Sequence, residues 1–458
     1  MLLMGFNRLA GKRMRIYPPT LTHYTNVLNR LVLVLALVLP VALFAGVAVT
    51  EKADPDQVEP CEPAFDPQPG EAASNQALPQ EPCEQPSQEQ IEKARQEITT
   101  EIAEGTQTAV SLESLLLGRN YFFFGRVELD AAAYSGDIPS SENGGELRRL
   151  RVGIAGLATF VDSVSYKFEL DLTDSTNNLS DIYVQWDMPK RGTLRVGNQT
   201  VSQNLSAMTS SLSHLFMEEP LPVTAFSLSR RLAVSYDHDW RRFGVHGMVF
   251  TRDPNNDAGK YGWAARVYTK PIRGPEKIGH VGISTVLEKM DREARYRTRP
   301  ESHVTDIRLV DTGLYDDVQY QHVLGLEMAG GLGSNTMKLE LFRSHWERDR
   351  GRSNTFNGAY VELGHFLTGQ QFNYVRGKFI RPIMEPGTHA WEIGLRASWL
   401  DLNDRDVRGG EQVNVGAALN YYRRPDLRFQ FNVLYFRTDS VAGDDQGWIV
   451  QAKVQFNR

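Results

Sequence analysis

Between Ser165 and Thr173 an ionisable or hydroxyl side chain stands at every second position, with Lys167, Glu169 and Asp171 inside the run. Tyr166, Phe168, Leu170 and Leu172 fill the gaps. Arg149 and Arg151 keep the same spacing, as do Arg428, Gln430 and Asn432, and then Gln451, Lys453 and Gln455 near the C-terminus. Cations two apart share one face of an extended chain, where guanidinium forks and ammonium groups offer successive weak contacts to carboxylate or phosphate oxygens. Residues 111 to 458 hold 33 Arg and 9 Lys, and 42 acidic residues cancel them. The chemistry is therefore one of local charge placement, and no net field draws this region to nucleic acid.

Bond-breaking chemistry leaves no comparable trace. No HExxH, GxSxG, P-loop or paired CxxC occurs, and the ten histidines lack ligand spacing. Asp253, Asn255 and Asp257 with Gly259 miss the glycine position of a calcium loop, and no bidentate Glu follows them. The expectation is a protein without catalytic residues, metal or cofactor.

The elements that position these side chains are β-strands, because the period is two. In Asp181 to Met188, Ile182, Val184, Trp186 and Met188 oppose Asp181, Tyr183, Gln185 and Asp187. Leu427, Phe429, Phe431, Val433 and Tyr435 oppose Arg428, Gln430 and Asn432, and Trp448, Val450, Ala452, Val454 and Phe456 repeat the pattern. A soluble sandwich alternates as well. Three features favour an all-β transmembrane antiparallel barrel instead. The strands run near ten residues, and aromatics such as Trp391, Trp399, Tyr435, Trp448 and Phe456 end the apolar faces. The polar faces also carry several charges each, which a dry core would not tolerate.

The connections alternate in length. Gly136 to Glu146, Asp174 to Ser180, Leu402 to Gln412 and Thr438 to Gln446 read as long, whereas Phe160 to Ser163, Pro189 to Gly192 and Arg423 to Asp426 read as short. That places both termini and the short turns on one, periplasmic side and requires an even strand number, about sixteen for this length. One connection, Gln199 to Ser229, is far longer and carries Leu205, Met208, Leu212, Leu215, Phe216 and Met217. Its apolar content suits a loop folded back into the lumen, with His214, Glu218 and Glu219 as its ionisable groups.

The N-terminal quarter differs. Residues 1–48 read as a signal peptide: Leu31 to Val49 is apolar, follows Arg8, Lys12, Arg13, Arg15 and Arg30, and offers a cleavage site after Ala48. An uncleaved inner-membrane anchor is the rival reading. Residues 49–110 form a Pro- and Glu-rich linker with 14 acidic against 3 basic residues, expected to be disordered and periplasmic. It holds both cysteines of the chain, Cys61 and Cys83, expected to form one disulfide, and ends in a possible short helix marked by Ile91, Ala94, Ile98 and Ile102.

Two stretches carry a family resemblance: LRVGIAGLATFVDSVSYKFELDLTDSTNNLSDIYVQWDMP, followed by LRVGNQ, and WEIGLRASWLDLNDRDVRGGEQVNVGAALNYYRRPDLRFQFNVLYFRTDS. Through them residues 119–458 resemble the phosphate-selective porin O and P family. The resemblance implies a sixteen-stranded homotrimeric barrel in outer-membrane lipid, an inward third loop forming the constriction, and a ladder of arginines guiding anions. By alternation the channel-lining bases are Arg126, Arg149, Arg151, Lys167, Arg195, Arg396, Arg428 and Lys453. The competing reading pairs these cations with Glu128, Asp130, Glu169, Asp171 or Glu392 simply to line a wet pore.

The chain departs from the family at two places. Gln199 to Ser229 has no Lys or Arg, and Leu212 stands where a basic residue is expected after Thr209-Ser210-Ser211. Phe456 is followed by Asn457 and Arg458, which displaces the terminal aromatic. The sequence therefore leads to a general or weakly selective pore for small hydrophilic or anionic solutes. A barrel acting mainly as anchor for the acidic linker is the alternative.

Overall fold

The structure, a computed structural model, describes residues 121–158, 163–173, 179–251, 253, 260–274, 276–382, 384, 387–440 and 443–458. The expected signal peptide, the acidic linker and the Cys61–Cys83 disulfide lie outside the described residues.

Sixteen antiparallel strands close into one barrel. The first half is β1 (Tyr121–Gly136), β2 (Gly144–Leu157), β3 (Val164–Asp171), β4 (Leu179–Met188), β5 (Gly192–Thr200), β6 (Arg230–Asp239), β7 (Phe243–Phe250) and β8 (Tyr261–Gly274). After β9 (Lys277–Ala294), a short ribbon of β10 (Arg297–Thr298) and β11 (Val310–Asp311) stands outside the barrel order. The wall resumes with β12 (Tyr315–Leu332), β13 (Asn335–Arg348) and β14 (Asn354–Phe366). A second ribbon, β15 (Asn373–Val375) and β16 (Lys378–Ile380), precedes β17 (Ala390–Asp404), β18 (Val407–Arg424), β19 (Leu427–Asp439) and β20 (Gln446–Asn457). Closure runs from the Arg126 and Asn457 pair to the Gly136 and Gly447 pair. Asn457 thus remains in the ladder, and Arg458 N donates to Gly125 O at 2.8 Å, so the two residues after Phe456 extend the closing seam.

The faces are inverted relative to a soluble domain. Phe168, Val184, Trp186, Phe431 and Trp448 lie exposed on the outside, Trp448 at 54%, while Glu169, Gln185, Asn432 and Lys453 are buried on the inside. Such a surface is stable only against hydrocarbon. Aromatics mark both rims: Trp391 stacks on Tyr421 at 4.4 Å on one side, and Tyr435 meets Trp448 at 5.2 Å on the other.

Three expectations need correction. Leu402 to Gln412 is not a long connection, because β17 and β18 continue as a ribbon to the Asp404 and Val407 pair, and only Arg405 and Asp406 turn. The polar residues there suggested a loop, but Leu402 and Val407 keep the inward register and are fully buried. Second, the side of the termini is not served by short turns throughout, since residues 367–389 form a long connection there. Third, the lumen wall is not polar all round. Phe342, Trp346, Phe356, Tyr360 and Leu400 form an apolar saddle inside β13, β14 and β17.

Candidate functional site

The saddle explains why the loop after β5 enters the barrel. Asn204 caps α1 (Leu205–Met208) by accepting from Ala207 N, and the Glu340 carboxylate on β13 receives Leu205 N and Ser206 N at 2.8 and 3.0 Å. Helix α2 (Leu221–Phe226) begins after Pro220, carries Pro222 in its first turn, and donates Leu221 N to Glu301 at 3.0 Å. Its Val223 and Phe226 join the saddle, Phe226 meeting Tyr296 edge-on at 5.0 Å. Between the helices, Met217 N donates to Asn432 at 2.9 Å and Phe216 lies beneath the Arg396 guanidinium at 4.1 Å. The apolar residues of Gln199 to Ser229 thus leave water by packing on the wall, which fixes the loop across the lumen.

Two further segments fold inward. The connection holding β10 and β11 sends Ser302 to Tyr134 at 2.7 Å and receives Gln451 at Glu301 O at 3.0 Å. From the terminal side the β15–β16 ribbon turns at Arg376 and Gly377, both with positive φ, as a two-residue hairpin turn requires. Among the described residues a cavity of about 580 Å³ stays open against the wall of β1 to β7.

Five of the eight predicted bases border this cavity: Arg126, Arg149, Arg151, Lys167 and Arg195. Arg149 pairs with Glu128 at 2.6 Å, and Arg151 with Asp171 at 2.8 Å and Glu169 at 3.2 Å. Lys167 pairs with Asp181 at 2.9 Å, Arg126 with Glu128, and Arg195 donates to Gln185 while lying over the Tyr183 ring at 4.3 Å. The other three hold the loop. Arg396 pairs with Glu362 at 2.6 Å and donates to Glu218 O at 2.8 Å, Arg428 donates to His214 O at 3.0 Å, and Lys453 reaches Met217 O at 3.2 Å. Alternation gave their inward direction; the loop that covers them came from elsewhere in the chain. Of the expected carboxylate partners, Asp130 lies 3.5 Å from Lys453, whereas Glu392 accepts from Asn420 and Tyr422.

The loop residues His214, Glu218 and Glu219 also border the cavity. Burial pushes His214 down to about 3, so its ring is neutral and rests against Thr209 O at 3.1 Å. Burial opposes ionisation of Glu218, but Arg148 and Lys453 outweigh it and hold this carboxyl well below the usual range. Burial and the adjacent Glu218 push Glu219 up to about 7.

Sequence reasoning missed the remaining cations. Arg148 faces inward beside Arg149 because the β1–β2 register shifts between Glu128 and Leu129, a bulge that re-aims one side chain. Arg230, at the start of β6, pairs with Asp181 at 2.6 Å. Arg297, Arg299, Arg308, Arg376 and Lys378 arrive on the two inward ribbons and the loop between β10 and β11. The turn dipeptide Arg376-Gly377 between Val375 and Lys378 was the one local signal available for the second ribbon. In all, ten Arg and two Lys line the cavity against Glu169, Asp181, Glu218, Glu219, Asp237 and Glu301.

A closed barrel with an apolar outer face, whose charged cavity is narrowed by a loop packed inside, defines a pore-forming barrel of the porin class. The profile of the family Phosphate-selective porin O and P matches residues 118–457, and the chain belongs to that family. An uncharacterized protein of Caulobacter vibrioides is 32% identical over 343 residues, covering 69% of this chain and 68% of its own. Among solved structures, a loop-deletion mutant of OmpT, an outer membrane protein of Vibrio cholerae, is 13% identical with a TM-score of 0.49, over 73% of this chain and 99% of that one. An anion-selective porin from Comamonas acidovorans is 11% identical with a TM-score of 0.48, over 73% and 99%. Likeness at that level has no bearing on what this pore passes. The protein is an outer-membrane channel of the bacterial cell, as its family membership and barrel indicate, and these are features of a channel rather than an enzyme.

Proposed function

We propose that the passage along β1 to β7 conducts small hydrophilic solutes by passive diffusion and favours anions, phosphate among them. One observation carries the reading. The barrel region is neutral overall, yet its cavity is lined by twelve cationic against six anionic side chains. Even counting Glu128 and Asp171, which pair with Arg149 and Arg151 without bordering the cavity, the cations stay in excess. Fixed positive charge in a narrow, low-dielectric passage raises the local anion concentration, and pairing with wall carboxylates keeps each contact weak enough for release.

In this reading Arg126, Arg149, Arg151, Lys167 and Arg195 guide the anion, while Arg396, Arg428 and Lys453 position the constriction. The protein works as a homotrimer in outer-membrane lipid after loss of residues 1–48. Reversal potentials in a potassium chloride gradient test the preference. Wild type favours chloride, and Arg149→Ala with Arg151→Ala lowers that preference; an unchanged potential in the double variant overturns the assignment.

A further inference from the structure

On the outside of the barrel, one sector carries polar side chains where a lipid-facing wall is ordinarily apolar. Strands β9 and β13 run in the same direction as β1, so Lys289, Arg343 and His345 stand near the end of the barrel away from the termini. Pairing across the wall sets Tyr261, Lys289 and Tyr320 on one outward row, with His322 beside His345 on the next. Leu324 and Arg343 follow on the third. The neutral groups satisfy one another, Thr285 lying 2.8 Å from His322 and Thr355 3.1 Å from His345. The cations are left over. Lys289 rests 5.4 Å from the centre of the Tyr261 ring, and neither it nor the exposed Arg343 has an ion pair among the described residues.

Beside these rows the outer wall is hollowed. Trp263, Val267, Ile283, Leu287 and Leu324 surround the small Ala265 in a groove of about 450 Å³, which His322 borders at its polar end. Trp263, Val267, Ile283 and Leu324 are exposed on the outer face, so the groove opens to hydrocarbon. A void of this kind regains dispersion contacts when a flexible acyl chain fills it. A cation on the same face is costly without a counter-charge, and an acidic head group supplies one. Glu347 follows Tyr320 on the first row and leaves the two cations in excess over it. We propose that this face binds one anionic lipid of the leaflet away from the termini, its acyl chain in the groove and its acidic head group against Lys289 and Arg343. The site lies outside the passage and does not rest on the anion reading above.

The full-length protein, folded in a nonionic detergent, is titrated with phosphatidylglycerol and separately with phosphatidylcholine of the same acyl chains, and bound lipid is read by native mass spectrometry. Wild type holds phosphatidylglycerol about tenfold to thirtyfold more tightly. Lys289→Gln with Arg343→Gln removes that preference, and because both side chains are exposed on the outer face the double variant keeps the barrel. Ala265→Trp, which fills the groove, weakens both lipids. Glycerol phosphate, a head group without chains, displaces neither. Equal binding of the two lipids by wild type overturns the proposal, as does a preference that survives in the double variant. Displacement by glycerol phosphate, or unchanged binding in folded Ala265→Trp, overturns the role of the groove. A double variant that falls to a smaller oligomer with no lipid added assigns this face to a second copy of the chain and overturns the lipid site.

Discussion

Arg148 of β2 grips Glu218 of the inward loop through both carboxylate oxygens, Nε to Oε1 at 3.0 Å and Nη2 to Oε2 at 3.1 Å. Neither side chain is more than 18% exposed, so the pair is a tether rather than a surface contact. Removing the charge with Glu218→Gln should cost about 1–3 kcal/mol of local loop stability and make single-channel current noisier at neutral pH. The Glu218 carboxyl is held below its ordinary range by Arg148 and Lys453 against the effect of burial, so the tether's contribution is complete above that range and fades as pH falls through the folded value. Wild-type channels recorded at pH 5 should therefore stay quiet, and noise equal to that of the variant would refute the tether.

Glu219 sets the opposite expectation. Burial and its neighbour Glu218 push it up to about 7, so it is mostly ionised at pH 8 and mostly protonated at pH 6. Protonation removes one negative charge from the cavity lining, and chloride preference should rise on acidification across this window. Reversal potentials at both values measure it, and Glu219→Gln should flatten the response at the higher preference. A variant that keeps the full pH dependence would assign it to another group.

The three covered cations and the cavity cations should separate in mutagenesis. Arg396→Ala leaves Glu362 and Glu301 buried without their shared cation, a loss of about 3–5 kcal/mol. The yield of folded barrel should fall. Arg195→Ala, whose side chain meets Gln185 and the Tyr183 ring, should fold normally and lower anion preference alone. Comparable folding yields for the two variants would contradict the division.

Gly358 on β14 is where the wall admits α2. A Cβ there would stand 2.5 Å from Pro222 Cβ and 3.1 Å from Trp399 O, neither of which can swing away. Gly358→Ala should displace α2 and cost about 1–3 kcal/mol through overpacking. The check is the temperature at which the folded band is lost on a semi-native gel, together with wider conductance steps. An unchanged temperature and unchanged steps would show the helix is not seated by this contact.

Much of the wall was legible because period two is a local property. The alternation of Phe429, Phe431 and Tyr435 with Arg428, Gln430 and Asn432 is written in consecutive residues, and the barrel carries it directly. The even strand count, the closure and the inward fold of Gln199 to Ser229 followed from connection lengths and from apolar residues that water would not accept. Arg405 and Asp406 show the limit of that reading, since a polar stretch resembled a loop until the buried Leu402 and Val407 fixed its register.

Direction was in the sequence; surroundings were not. Alternation aimed Arg149, Arg195, Arg396 and Lys453 inward alike, but whether each meets the open passage or the underside of a loop depends on residues such as Met217 and Glu218, more than 200 positions from Lys453 in the first case. Arg148 joined the cavity only through a one-residue slip between two strands, and Arg376 only through a ribbon entering from the terminal side. Local backbone periodicity decides which way a side chain points, whereas the electrostatics of a pore are set by which distant segments come to lie across it, and that contact exists only after the cylinder has closed.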